Sequence, residues 1–176
     1  LYIDLGCGYN MNNTRKLPAG DYIISDLCYV LSESDYDKAI DLTGYFGTYN
    51  RDGTINKNRD NMGGTFVLGW GREIRKHPFA VWSTYMGDGG YRGTDGNMYS
   101  VDAGIIGCVP LALVDSDKLK DGLGEHFHAH RFDKDFTTGS FDGTLVFGDV
   151  TIYTNGDPND PEYCEDCGED EWECEC

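Results

Sequence analysis

Long apolar runs are missing from this sequence of 176 residues. A membrane-spanning helix needs about 20 consecutive apolar residues, and no stretch of the chain approaches that length. The first residues also lack the combination of a positively charged and an apolar segment that marks a secretory signal. We therefore expect neither a signal sequence nor a transmembrane segment, and no membrane partner.

Positive charge is also scarce, because 14 Lys and Arg residues stand against 31 Asp and Glu residues. The formal net charge is −17 at pH 7. Residues 156–176 hold ten of the acids and no Lys or Arg, which leaves residues 1–155 with 21 acids, 14 bases and a net charge of −7. The negative electrostatic potential of such a chain repels the phosphate backbone of nucleic acids, so we expect no nucleic-acid partner.

Proline is rare and glycine is frequent, with 5 prolines against 24 glycines. This balance is typical of short strands joined by tight turns. Three Asp-Gly pairs, whose backbone suits hairpin turns, lie between candidate strands: Asp52-Gly53, Asp95-Gly96 and Asp142-Gly143. We predict a mainly β domain over residues 1–155, an antiparallel meander that forms a sandwich or a partly closed barrel with one or two short helices. Residues 156–176 form an acidic, cysteine-rich tail.

Hydrophobic periodicity and β propensity predict the individual elements. A helix is expected over residues 33–42, where Ser32 can cap the first turn, and a shorter helix over residues 111–120. The predicted strands are residues 21–25, 28–31, 65–70, 79–86, 103–109 (the apolar run within 98–110), 145–147 and 150–154.

Three of the four histidines lie within five residues, at His126, His128 and His130. Residues two apart in a strand point the same way, so the three imidazoles would line one face at intervals of about 7 Å. Neighbouring imidazoles can bind Zn²⁺, Fe²⁺ or Ni²⁺ with a further ligand from elsewhere. The alternative is a solvated strand face that carries histidines without binding a metal.

The tail holds four cysteines in thirteen residues, at Cys164, Cys167, Cys174 and Cys176. They could bind Zn²⁺ as a small knuckle or form two disulfides, and their spacing departs from that of a paired zinc ribbon. The chain has seven cysteines, so at least one is unpaired, and buried Cys28 or Cys108 is the natural candidate.

The glycine-rich segment 87–104 carries Asp88, Asp95 and Asp102. Their carboxylates could bind Ca²⁺ or act as an acid–base pair, but the spacing is not that of an EF-hand. The alternative is a hairpin in which these residues serve turn geometry. No G-x-S-x-G motif is present, and nothing in the sequence marks a nucleophile.

Two segments resemble a family of small proteins from bacteriophages, large DNA viruses and some bacteria. Residues 20–30, GDYIISDLCYV, resemble a GkYyigDpCYv opening, although Ser25-Asp26-Leu27 replaces Gly-Asp-Pro. Residues 86–91, MGDGGY, and 99–107, YSVDAGIIG, resemble a GDGxY block followed by YxVD[SA]GxIG. The resemblance covers about thirty residues and implies a viral or phage-like origin. It carries over no catalytic residue.

We therefore expect a non-enzymatic β-domain of viral type, either virion-associated and structural or in contact with host proteins. We expect its partners to be proteins, and a virion-associated role would place the chain within a larger assembly. Its expected location is the virion or the host cytoplasm. The alternative is a metal-binding protein or metal-dependent enzyme that uses His126, His128 and His130. A third hypothesis is a carbohydrate-binding module built on the 23 aromatic residues.

Overall fold

Strands dominate the computed structural model, which describes residues 14–43, 63–68, 74–120 and 127–156. In chain order, the elements are β1 (Thr14–Leu17), β2 (Gly20–Ser25), α1 (Leu27–Val30), α2 (Glu33–Thr43), β3 (Gly63–Leu68), β4 (Arg75–Ser83), β5 (Gly89–Arg92), β6 (Met98–Val101), β7 (Ile105–Pro110), a 3-10 turn (Leu111–Leu113), α3 (Ser116–Lys120), β8 (His128–Phe132), β9 (Phe136–Phe141), β10 (Thr144–Phe147) and β11 (Val150–Tyr153). Among the described residues, no helix has both the length and the apolar character to cross a membrane.

The strands form three antiparallel sheets, which confirms the predicted mainly β, sandwich-like fold. One sheet has the order β1-β9-β10-β11 and contains a meander. A second has the order β3-β4-β7-β2-β8 and joins strands that are distant in sequence. Strands β5 and β6 form a separate hairpin. Within the described ranges no sheet closes on itself, so the architecture is a sandwich rather than a barrel.

The five-stranded sheet is buried on both faces because its side chains alternate between two cores. Tyr22 and Ile24 of β2 belong to a core shared with the four-stranded sheet and the β5–β6 hairpin. Between them, Ile23 points to the other core, which contains residues of α1 and α2 such as Leu27 and Ile40. The molecule therefore has a helical layer, a central sheet and an outer layer of sheet and hairpin.

Two of the predicted Asp-Gly hairpins are confirmed. Asp142 and Gly143 join β9 to β10 with φ angles of 49° and 77°, the left-handed pair of a two-residue turn. Asp95-Gly96 lies in the connection between β5 and β6, where Gly96 has a φ of 83°. The third pair, Asp52-Gly53, lies outside the described residues.

The strand predicted over residues 28–31 is wrong, because the chain forms α1 there. Asp26 is the N-cap, with a φ of −60° and a ψ of 132°, and its side chain accepts a hydrogen bond from the Cys28 amide. This cap favours a helical turn over the β propensity of Tyr29 and Val30. The predicted cap of α2 is confirmed, since the Asp35 amide donates to Ser32 Oγ at 3.2 Å.

The buried strand predicted over residues 103–109 is confirmed as β7, which follows a turn in which Gly104 has a φ of 65°. One other predicted element is divided in the structure. The helix expected over residues 111–120 is a 3-10 turn followed by α3.

Candidate functional site

The histidine prediction centres on β8, an edge strand of the five-stranded sheet. His128 pairs with Ile24 and His130 pairs with Tyr22 of β2, so both imidazoles lie on the same face, as predicted. His126 lies outside the described residues. The β5–β6 hairpin packs over this face and contacts His128 and His130.

His128 is held by the hairpin backbone. Its Nε2 atom lies 2.8 Å from the carbonyl oxygen of Met98, which requires that Nε2 carries the hydrogen and donates it. The imidazole also packs edge-on against the Tyr99 ring, with 4.5 Å between ring centroids. His128 thus contributes a hydrogen bond and an aromatic contact to the hairpin interface.

His130 belongs to a polar group that we name the Asp95 cluster, consisting of Asp95, Asn97, Tyr99 and His130. Asp95 Oδ2 accepts hydrogen bonds from Tyr99 Oη and from Asn97 Nδ2, both at 2.7 Å, and lies 3.2 Å from His130 Nε2. Asp95 Oδ1 accepts the Asn97 amide at 3.1 Å. Three hydrogen bonds therefore converge on one carboxylate, and the His130 imidazole lies beside it and within 3.3 Å of Tyr99 Oη. The Asp95 and His130 side chains are each 17% exposed.

Burial and charge act in opposite directions on this cluster. The pKa of His130 is lowered, because burial outweighs the attraction of Asp95 and Asp149, and the neighbouring His128 lowers it further. For Asp95, burial alone would raise the pKa, but the hydrogen bonds from Tyr99 and Asn97 and the charge of His130 together lower it. Burial and the Asp95 carboxylate raise the pKa of the Tyr99 hydroxyl. At neutral pH the cluster is an ionised carboxylate with neutral donors around it.

Metal binding at the predicted sites stays a prediction. Within the described ranges, no three His, Cys, Asp or Glu side chains are grouped so that they could hold a metal ion. The predicted histidine trio includes His126, which falls outside those ranges. The predicted tail ligands for Zn²⁺ also fall outside them: Cys164, Cys167, Cys174 and Cys176.

A second polar group, which we name the Asp26 brace, joins α1 to the turn between β6 and β7. The Asp26 side chain is fully buried and accepts three backbone amides: Cys28 at 3.0 Å, Asp102 at 2.8 Å and Ala103 at 2.7 Å. The hydroxyl of Tyr29 is hydrogen-bonded to the Asp102 side chain. The two segments of the family resemblance therefore meet at one carboxylate.

The thiols of the described residues are poor nucleophiles. Cys28 and Cys108 are both free, as predicted for at least one of them. Burial, followed by the Asp26 carboxylate, raises the pKa of Cys28 to about 12, and burial raises the pKa of Cys108 well above its usual range. Because the thiolate is the reactive form, neither sulfur is activated at neutral pH.

The three aspartates of segment 87–104 do not converge on one ligand site. Asp95 belongs to the Asp95 cluster and Asp102 to the Asp26 brace, whereas Asp88 is exposed and lies immediately before β5. The Gly87 carbonyl accepts hydrogen bonds from Thr84 Oγ1 and Tyr91 Oη, which fixes the loop. The structure therefore agrees with the alternative hypothesis, in which the Asp and Gly residues of this segment form the turns of a hairpin.

Sequence reasoning did not identify Asp26 as a buried residue or pair Asp95 with His130. An Asp before a short run of apolar residues is an N-cap signal and could have identified Asp26. The pairing of Asp95 with His130 has no local signal because 35 positions separate them. Comparisons with models of protein families, with curated proteins and with solved structures return no match to this chain.

Proposed function

We propose that this chain is a non-enzymatic β-sandwich module that acts through contacts with other proteins, as a structural, virion-associated component or as a host-interaction module. The proposal rests on one observation: the buried carboxylates and the thiol that could have served in catalysis are engaged in contacts within the chain. Asp26 accepts hydrogen bonds from three backbone amides, and Asp95 accepts three hydrogen bonds from Asn97 and Tyr99. Cys28 has a pKa of about 12. These groups stabilise the fold, so we assign the function to contacts that the exposed surface makes with other proteins.

Tyr85 and Met86 provide a surface suited to a protein contact. The two residues are 68% and 62% exposed, and they are neighbours in the loop between β4 and β5. The Tyr85 amide donates to Thr154 Oγ1 at 2.9 Å, and this hydroxyl donates to the Gly143 carbonyl at 2.6 Å. The backbone below the exposed ring is therefore fixed, which lowers the entropic cost of binding. Tyr and Met are both enriched in protein interfaces.

The proposal can be tested by crosslinking the full chain in the cells that produce it and isolating its partners. Each partner is then purified and mixed with the chain, and the mass of the complex is measured by light scattering. We expect a stoichiometric complex that the double variant Tyr85→Ser/Met86→Ser weakens about tenfold or more. The matched control is Leu119→Ser, because Leu119 is also exposed but lies on α3. A chain that stays monomeric with every candidate and turns over a substrate contradicts the proposal.

A metal-binding protein or metal-dependent enzyme is the second candidate, and the orientation of the β8 imidazoles supports it. Histidines that bind metals generally use the second ring nitrogen to donate to a carbonyl or carboxylate. His128 Nε2 lies against the Met98 carbonyl and His130 Nε2 against the Asp95 carboxylate, which leaves both Nδ1 atoms as potential ligands.

Elemental analysis of the purified chain separates the two candidates. The second candidate predicts stoichiometric metal that is lost in His128→Gln and His130→Gln but retained in the control His77→Gln, which changes the histidine on β4. Absence of bound metal, or metal that survives both β8 substitutions, rejects this site.

A further inference from the structure

One Asn-Gly pair, Asn155-Gly156, follows shortly after β11. In such a pair the backbone nitrogen of the glycine can attack the side-chain carbonyl carbon of the asparagine, because glycine has no Cβ atom to hinder the approach. Asn155 is exposed, so water has access to its carboxamide. The pair therefore has the chemistry of a self-modifying site.

The attacking nitrogen is available in the folded chain. Among the described residues, the Gly156 amide donates to no acceptor. The other asparagine of the described ranges, Asn97, is followed by Met98, whose side chain hinders the same approach. Met98 is also held in the hairpin ladder opposite Arg92. Asn155 is therefore the reactive asparagine of the two.

The reactive side chain also holds the turn between β9 and β10. Asn155 Nδ2 donates to the Asp142 carbonyl oxygen at 2.6 Å, and a Cβ atom at Gly143 would lie 2.9 Å from Asn155 Cγ. The preceding residue, Thr154, is fully buried, and its hydroxyl accepts the Tyr85 amide and donates to the Gly143 carbonyl. Asn155 thus adjoins the contact that fixes the Tyr85 loop.

We propose that Asn155 is a site of spontaneous deamidation, and that the reaction releases the Tyr85 loop from this turn. The Gly156 nitrogen forms a bond to Asn155 Cγ and loses its proton to solvent. The bond from Cγ to Nδ2 breaks, and Nδ2 takes up a proton and leaves as ammonia. Water then opens the five-membered succinimide ring to aspartate or isoaspartate, with no oxidation or reduction.

Either product replaces the Nδ2 donor with a carboxylate. A carboxylate has no hydrogen to donate to the Asp142 carbonyl, so two acceptors face each other where a hydrogen bond stood. Isoaspartate also adds a methylene group to the backbone directly after Thr154. In both cases the contact between residue 155 and the turn is lost, and the Thr154 hydroxyl holds the Tyr85 amide less firmly.

Mass spectrometry of the full chain, incubated near pH 8, measures the reaction, with fragmentation to locate the change. We expect a gain of about 1 Da at Asn155 that is at least about tenfold faster than any gain at Asn97. Gly156→Ala should slow the gain about tenfold in the folded chain. The same slowing is expected in urea, where the φ of 100° at residue 156 plays no part.

Hydrogen exchange of the Tyr85 amide measures the structural consequence. Asn155→Asp carries the product side chain from the start, and it should speed this exchange at least about tenfold. The matched control is Lys134→Gln, which makes the same change in net charge at an exposed position in the turn between β8 and β9. It should leave the exchange rate within about twofold of the parent.

Equal rates of mass gain at Asn155 and Asn97 would overturn the assigned modification, and so would a gain that Gly156→Ala leaves unchanged. Unchanged exchange of the Tyr85 amide in Asn155→Asp would overturn the link between the modification and the loop. The proposed function is independent of both results, because neither measurement involves a partner.

Discussion

The carboxylate of Asp26 accepts a hydrogen bond of 2.7 Å from the backbone amide of Ala103, which lies 77 residues further along the chain. The same Oδ2 atom accepts the Asp102 amide at 2.8 Å, and Oδ1 accepts the Cys28 amide. One buried side chain therefore caps α1 and fixes the turn that precedes β7. This link joins the helical layer to the central sheet.

We expect Asp26→Asn to lower the free energy of unfolding by about 3 kcal/mol or more. If the amide oxygen keeps the bond to Cys28, the new NH₂ group faces two backbone donors and leaves both without an acceptor. Urea unfolding at pH 7, followed by circular dichroism, measures the loss.

The control for this substitution is Asp88→Asn, which makes the same chemical change at an exposed position. It should change the free energy of unfolding by no more than about 0.5 kcal/mol. Equal effects of the two substitutions would show that the Asp26 brace contributes nothing specific to stability.

The Asp95 cluster predicts a loss of stability in acid. Folding lowers the pKa of His130 from its usual 6.5. The contribution of neutral His130 to the free energy of unfolding is therefore complete above pH 6.5, and it is lost as the pH falls through the lower pKa of the folded chain. The pKa of Asp95 is lowered from 3.8, so its contribution is also lost in acid, below that value. The two effects have the same sign and occur in successive pH ranges.

We therefore expect the urea midpoint of the parent chain to fall between pH 7 and pH 5, and the fall to be smaller in His130→Gln. A direct measurement is the imidazole titration of His130 by NMR, which should give a pKa below 6.5. A measured pKa above that value would mean that the attraction of Asp95 and Asp149 outweighs burial, and the predicted pH dependence would reverse.

Both described thiols should be protected from alkylation. Raising the pKa of Cys28 from 9.0 to about 12 lowers its thiolate fraction near pH 8 about a thousandfold. Iodoacetamide labelling, read by mass spectrometry of the peptides that contain Cys28 and Cys108, should be slow in the native chain and fast in urea. Rapid native labelling of Cys28 would show that α1 opens readily or that its thiol is activated.

Local patterns in the sequence predict the parts of this fold that depend on neighbouring residues. Val150 and Ile152 alternate with polar positions, and both are buried in β11 as the pattern predicts. Asp142-Gly143 forms the predicted turn because the required φ angles depend on these two residues alone. The cap of α2 by Ser32 is likewise a local interaction.

The candidate site is only partly predictable, because its contacts depend on the order of strands in the sheets. Alternation places His128 and His130 on one face of β8, but it does not indicate that Met98 and Asp95 of the hairpin region lie over that face. The error over residues 28–31 has a similar origin. Tyr29 and Val30 favour strands by propensity, and the Asp26 cap together with burial against the second core overrides that preference.

The turn between β9 and β10 provides a test in which backbone strain and steric contact can be separated. Gly143 has a φ of 77°, and a Cβ atom there would lie 2.6 Å from Asn155 Cβ and 2.9 Å from Tyr85 Cβ. Gly96 has a φ of 83°, but a Cβ atom there meets nothing within 4 Å. Alanine at either position destabilises the fold by about 1 kcal/mol, because a residue with a Cβ atom disfavours a positive φ angle. Only at position 143 does the added Cβ atom also overpack against neighbouring side chains.

We expect Gly96→Ala to lower the free energy of unfolding by about 1 kcal/mol and Gly143→Ala by about 2–4 kcal/mol, measured by urea unfolding at pH 7. Gly143→Ala should also weaken any complex formed through Tyr85, because relief of the clash displaces the loop that carries this ring. Gly96→Ala lacks that contact and should leave the complex intact. Equal losses of stability in the two variants would mean that the loop carrying Tyr85 moves away from the new Cβ atom at no energetic cost. In that case the loop would not hold the Tyr85 ring in place for binding.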